Sequence, residues 1–106
     1  MDCKQFTCRS ADATEYRCYL VYLQTAISLR HSDTVDARFL VNGKRITVAL
    51  PHAALAEHAR RAGAPLSDAQ VAEIAVACLK EWLENGGGVE DIAVPAARVL
   101  ELAPAA

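Results

Sequence analysis

The distribution of apolar and polar positions predicts a long core helix over about residues 67–85. Ser67 and Gln70 have the spacing of a capping box, which marks the start of a helix. Asn85 and the three glycines that follow it tolerate positive φ, so we expect the helix to end there. At about 100° per residue the polar side chains occupy one narrow face. Apolar residues cover the rest, which indicates burial on more than one side: Val71, Ile74, Ala75, Val76, Cys78, Leu79, Trp82 and Leu83.

Alternation on both sides of Asn42-Gly43 predicts a β-hairpin over residues 37–41 and 44–49. Asn-Gly suits a two-residue type I′ turn, because both turn positions require positive φ. The turn fixes the register of the two strands, and that register makes one face apolar and the other polar. This pattern is typical of an antiparallel sheet with helices on one side only. We place Phe39, Val41, Ile46 and Val48 on the core face, and Arg38, Arg45 and Thr47 on the other.

A second helix is predicted over about residues 51–62, because Pro51 can occupy a first helical position and Gly63 can end the helix. A short connector then places the two helices side by side. Residues 16–30 fit either a helical stripe or a strand. We favour a strand, because a two-stranded hairpin alone is only marginally stable in water.

These elements predict an α+β fold in a single domain over residues 1–106. A small antiparallel sheet of three or four strands, including the 37–41/44–49 hairpin, is packed on one face by the two helices. Residues 1–15 show no clear periodicity. We expect them to form an irregular N-terminal extension, with a short edge strand near residues 4–8 as the alternative.

Three features occur together in the later two-thirds of the chain: the segment Phe39–Leu50 with its Asn-Gly turn, Leu55, and the helix that exits through glycines. In this combination, over residues 37–102, the chain resembles the YrdB-like family of small bacterial proteins of unknown function. It departs from that family in a longer N-terminal region, which carries three of its four cysteines. The resemblance implies an α+β fold and transfers no functional residues.

Composition and charge fit a small globular protein. The chain has 106 residues, of which 53% are hydrophobic and 23% charged. It contains no apolar run of about 18 residues that would span a bilayer, and its start lacks the features of a secretory signal, so we expect a cytoplasmic protein. The net charge of −2 argues against a dedicated nucleic-acid binder. The charge is uneven, however: residues 1–62 carry nine Lys/Arg and six Asp/Glu, and residues 63–106 carry two and seven.

No catalytic motif is present, and we predict a protein that is not an enzyme and needs no cofactor. The chain has no nucleophile elbow, P-loop, dinucleotide fingerprint or zinc-protease motif. Its glycine run follows a helix instead of opening one, so it cannot present a helix N-terminus to a phosphate. His52 and His58 lie about 240° apart on a helix and cannot share a ligand. We expect His58 to be a partly buried core residue.

The function that we favour is a protein–protein interaction or regulatory module, whose partner is another protein or a second copy of the chain. The reason is the long helix, whose apolar arc is wider than one small sheet is expected to cover. A homodimer would form through the sheet edge or through the tyrosine-rich segment 16–22.

Two alternatives remain open. The first is nucleic-acid binding through the basic hairpin residues Arg38, Lys44 and Arg45, with Arg17 and Arg30 on adjoining strands. Its weakness is poor aromatic interleaving, since Phe39 faces the core.

The second alternative is a metal or thiol site at the N-terminus. Its ligands would be Cys3, Cys8, Cys18 and His31. The spacing is at the edge of the usual zinc range, and no second closely spaced pair follows.

Overall fold

A computed structural model describes residues 5–10, 12–26, 34–64 and 66–102 of the chain. In chain order, its elements are β1 (Gln5–Arg9), β2 (Glu15–Ala26), β3 (Thr34–Val41), β4 (Lys44–Pro51), α1 (His52–Ala62), α2 (Asp68–Glu84), β5 (Ile92–Ala93) and α3 (Ala96–Leu102).

The strands form one sheet in the order β1-β2-β3-β4-β5. The first four strands pair antiparallel with their neighbours, and β5 pairs parallel with β4. The predicted α+β fold is therefore confirmed, but with five strands instead of three or four, and with α3 as a third helix. Two of these elements are short: β5 has two residues and α3 has seven, too few for a periodic pattern to stand out.

The predicted hairpin is confirmed in its turn and register. Asn42 and Gly43 have φ of 50° and 85°, as a type I′ turn requires. The strands are longer than the alternation indicated, because pairing continues to Thr34 opposite Pro51. The strand favoured for residues 16–30 is confirmed over Glu15–Ala26, and the rest of that segment lies outside the described residues.

The long helix begins and ends where predicted. The Ser67 hydroxyl accepts a hydrogen bond from the Gln70 amide at 3.2 Å, and the Gln70 side chain accepts one from the Ser67 amide at 2.9 Å. Most of its apolar arc is buried in the core: Val71, Ala72, Ile74, Ala75, Cys78, Leu79 and Leu83. The arc therefore does not provide the large exposed surface that we had expected on α2.

The core lies between the helices and the sheet face that carries Phe39 and Val48, which are 1% and 0% exposed. Helix α3 contributes Val99, which is fully buried. The first strand also belongs to this sheet: Phe6 on β1 packs edge-on against Phe39 with 6.2 Å between ring centroids. Part of the N-terminal region is thus regular structure, as the edge-strand alternative predicted, displaced by one residue.

The glycines that follow α2 are in close contact with the side chain of Trp82. The indole N–H of Trp82 donates a hydrogen bond to the Gly88 carbonyl at 2.8 Å, and the Gly87 amide donates one to the Trp82 carbonyl at 2.8 Å. A Cβ atom on Gly87 would lie 2.4 Å from the indole Cε2 and Nε1 atoms. The indole ring therefore occupies the space that any side chain at position 87 would need.

Candidate binding surface on the open sheet face

The sheet face opposite the core is the candidate binding surface, and we call it the open face. Strand β3 shows how it arises: Ala37, Phe39 and Val41 are buried, whereas the alternate positions Arg38 and Leu40 face the other way and are partly exposed. Residues paired directly across the sheet share a face, so the register assigns the other members. The open face includes Arg17, Tyr19, Val21, Tyr22, Asp36, Arg38, Leu40, Arg45 and Thr47.

A β-bulge on β2 changes the composition of this face. Leu20 pairs with Phe39 and Tyr22 pairs with Arg38, so Val21 is an extra residue on the bulged strand. In a regular strand, residues 19 and 22 would point to opposite faces. The bulge instead puts Tyr19 and Tyr22 on the same face.

The same bulge exposes apolar surface. Val21 is 40% exposed and Tyr22 is 46% exposed, and within the described ranges these are the large hydrophobic residues that are classed as exposed. Regular alternation along β2 does not predict this exposed pair. Its one sequence signal is the uninterrupted apolar run Cys18–Leu23, because a regular strand with one solvated face would alternate apolar and polar side chains.

Arg38 is held at the centre of the open face by its neighbours. Its Nη1 donates to the Thr47 hydroxyl at 2.6 Å, and its Nη2 lies 3.8 Å from the Asp36 carboxylate. Asp36 in turn accepts a hydrogen bond from the Thr34 hydroxyl at 2.8 Å. These contacts hold the guanidinium in one position, so Arg38 shapes the surface and its charge is already partly balanced by Asp36.

A groove of about 540 Å³ runs beside this network. The residues that line it include Val21, Tyr22, Leu40, Arg45 and Asp91. Asp91 accepts a hydrogen bond from the Thr47 amide at 2.9 Å, which ties the loop before β5 to β4. The groove therefore combines apolar side chains with charged groups, in a size range typical of binding sites.

The predicted basic cluster divides between the two faces of the hairpin. Arg38 and Arg45 share the open face, as expected, but Lys44 pairs with Val41 and so projects on the core side of the hairpin end. Arg17 joins the open face from β2, where it is opposite Thr7. Arg30 lies outside the described residues. The basic side chains of the open face are thus Arg9, Arg17, Arg38 and Arg45, of which Arg9 is paired with Glu15 on the same face.

Two of the four predicted metal or thiol ligands, Cys8 and Cys18, lie next to each other in the described part of the chain. Cys8 and Cys18 lie on adjacent strands, are both buried, and interact through their thiols. Burial raises the pKa of Cys18 to about 12, and burial also raises the pKa of Cys8. Cys3 and His31 lie outside the described residues. Across the ranges that the structure covers, no group of three or more His, Cys, Asp or Glu side chains could hold a metal ion.

The two histidines in the described ranges both lie on α1. His58 is buried on the inner side of α1, as predicted, and His52 is exposed at the start of that helix.

A second groove, of about 570 Å³, lies between the end of α2 and α3. Its walls include Cys78, Trp82 and Val94, and Arg98 at its edge is paired with Glu81 and Glu101.

Comparison with protein-family models, curated proteins and solved structures finds no match. The resemblance to the YrdB-like family therefore stays a prediction. No helix in the described part of the chain is long and apolar enough to cross a membrane.

Proposed function

We propose that this protein is a non-enzymatic interaction module that binds a protein partner through its open face. The observation that carries the proposal is the bulge on β2, which turns Val21 and Tyr22 outward beside Arg38 and Arg45. Tyrosine and arginine are enriched among the residues that dominate the energy of protein interfaces. Val21 and Tyr22 adjoin each other and are bordered by polar groups, the arrangement that larger apolar interaction patches show.

The rigidity of the surface also supports this proposal. The groove lies on paired strands, and Arg38 is fixed by Thr47 and Asp36, so little side-chain freedom would be lost there on binding. A surface that is already ordered before contact binds more tightly than a flexible one of the same composition.

The experiment compares co-purification by three tagged proteins from an extract of the source organism. They are the wild type, the double variant Val21→Asp/Tyr22→Asp, and the control Ala53→Asp, which places a charge on the exposed side of α1. We expect proteins that the wild type and the control retain and the double variant loses. Sedimentation of the same three proteins tests self-association. Identical retained proteins and identical sedimentation for all three would contradict the proposal, provided that the variants are folded by circular dichroism.

A second candidate is binding of single-stranded nucleic acid, and the bulge is again the reason. It places Tyr19 and Tyr22 on one face with Arg17 and Arg45, and aromatic platforms with nearby cations bind single strands by stacking and charge. Fluorescence anisotropy with a labelled oligo-dT tests this function. Binding that weakens steeply with added salt and is lost in Tyr22→Ala would support it, and no binding at low salt would exclude it.

The cysteine-based alternative stays a prediction, since two of its four ligands lie outside the described residues. Zinc analysis of protein purified under reducing conditions tests it: a stoichiometric metal that is lost in Cys8→Ser would support cysteine ligation, and no bound metal would contradict it.

A further inference from the structure

We infer that the segment bound by the open face is acidic, and that it places carboxylates on Arg17 and Arg45 while an apolar side chain covers Val21 and Tyr22. The inference rests on the proposed function, and it specifies the chemistry of the partner.

The first observation is a selective lack of carboxylate partners. Five of the seven arginines in the described ranges are paired with an acidic side chain. These pairs join Arg9 to Glu15, Arg38 to Asp36, Arg60 and Arg61 to Glu57, and Arg98 to Glu81 and Glu101. Arg17 and Arg45 are the two without such a pair within those ranges, and both lie on the open face.

The second observation is the position of these two arginines on the open face, on either side of Leu40 and Tyr19. Arg45 on β4 is opposite Leu40 on β3, and Leu40 is opposite Tyr19 on β2. Arg17 lies two residues before Tyr19 on β2, next to the turn at Asn42. The Asn42 side chain accepts a hydrogen bond from the Arg17 amide at 2.9 Å. The two arginines are therefore two strand spacings apart across the sheet and two residues apart along the strands, a separation of about 12 Å, with Leu40 and Tyr19 between them.

The acidic groups on this face are already engaged. Asp36 contacts Arg38 and Thr34, and Asp91 accepts the Thr47 amide hydrogen bond. Glu15, on the same face, is paired with Arg9. None of these three carboxylates pairs with Arg17 or Arg45, so within the described residues both guanidinium groups remain available to an incoming segment. A guanidinium binds a carboxylate through two parallel N–H···O bonds, which makes arginine well suited to this role.

The charges on the open face also distinguish between the partners that could bind there. A second copy docked face to face would bring two more unpaired arginines to the same surface, whereas an acidic segment would neutralise those present. A nucleic acid needs many cations along its backbone, whereas this face offers two unpaired arginines together with the carboxylates of Glu15, Asp36 and Asp91. An acidic protein segment is therefore the occupant that the surface favours.

Selection from a displayed library of random twelve-residue peptides tests the inference. The targets are the wild type, the charge reversal Arg17→Glu/Arg45→Glu, the apolar-patch variant Val21→Asp/Tyr22→Asp, and the matched control Arg60→Glu/Arg61→Glu on α1. Each variant is first checked by circular dichroism and thermal unfolding. Peptides selected on the wild type are then synthesised, and their affinities for all four proteins and their salt dependence are measured, with oligo-dT as a separate probe.

We expect the selected peptides to be enriched in Asp and Glu and to contain an aliphatic or aromatic residue. Their affinity should fall about tenfold for the Arg17/Arg45 reversal and change little for the Arg60/Arg61 control. Peptides that need Val21 and Tyr22 but show no acidic enrichment would overturn the inference and leave the proposed function intact. Peptides that bind all four proteins equally, or binding of oligo-dT without peptide binding, would overturn both.

Discussion

The contact between Gly87 and Trp82 leads to a prediction about stability whose size follows from the structure. Gly87→Ala would place a methyl group 2.4 Å from the indole ring, and the ring is large and rigid. The indole must then move, at the cost of an overpacked site, about 1–3 kcal/mol, and of its hydrogen bond to the Gly88 carbonyl, about 0.5–1.5 kcal/mol. We expect a loss of about 2–4 kcal/mol in the free energy of unfolding, or about 10–20 °C in Tm.

Urea and thermal unfolding measure this loss directly, and the single tryptophan of the chain reports on the same site by its fluorescence. Gly88→Ala is the matched control, because a Cβ at position 88 meets no atom within 4 Å and its φ is not positive. The control should match the wild type or exceed it slightly. If Gly87→Ala unfolds within about 0.5 kcal/mol of Gly88→Ala, the inferred packing of Trp82 is wrong.

Three further predictions concern the cap, the thiols and the β5 loop. Ser67→Ala should lower stability by about 1 kcal/mol in urea unfolding, with Ser67→Asp largely retaining it, because both groups of the capping box are engaged. Burial holds the pKa of Cys18 near 12 instead of 9.0, so above pH 9 the folded protein binds more protons than the unfolded one. Stability should therefore fall as pH rises from about 9 towards 12, and less steeply in Cys18→Ala; equal slopes would contradict this. Asp91→Ala should cost about 1 kcal/mol through the lost hydrogen bond to the Thr47 amide, and Asp91→Asn should cost less.

The sequence predicts the parts of this fold that local residues determine. The Ser67–Gln70 box starts α2 through contacts within one helical turn, and Asn42-Gly43 sets the hairpin by its own backbone preferences. The candidate nucleic-acid site that groups Lys44 with Arg38 and Arg45 stays a prediction, although the three side chains do not share one face of the hairpin. The register fixed by the turn already places Lys44 opposite Val41, on the core side.

The open face could be predicted only in part, because its decisive feature depends on two strands at once. A bulge exists only relative to a partner strand, and β2 pairs with β3 across a separation that no local pattern specifies. Strict alternation therefore put Tyr19 and Tyr22 on opposite faces. The surface expected to be exposed on α2 is covered for a similar reason: β1 and α3 both pack against α2, and contacts between elements distant in the chain do not follow from the residues of either element alone.

The most direct test of the central claim is site-specific photo-crosslinking in cells of the source organism. A photoreactive amino acid replaces Tyr22 on the open face in one protein and Ala53 on the exposed side of α1 in another. Our account predicts a discrete protein adduct from position 22 that is absent from position 53. No adduct from position 22, or the same adducts from both positions, would contradict the assignment of the open face as the binding surface.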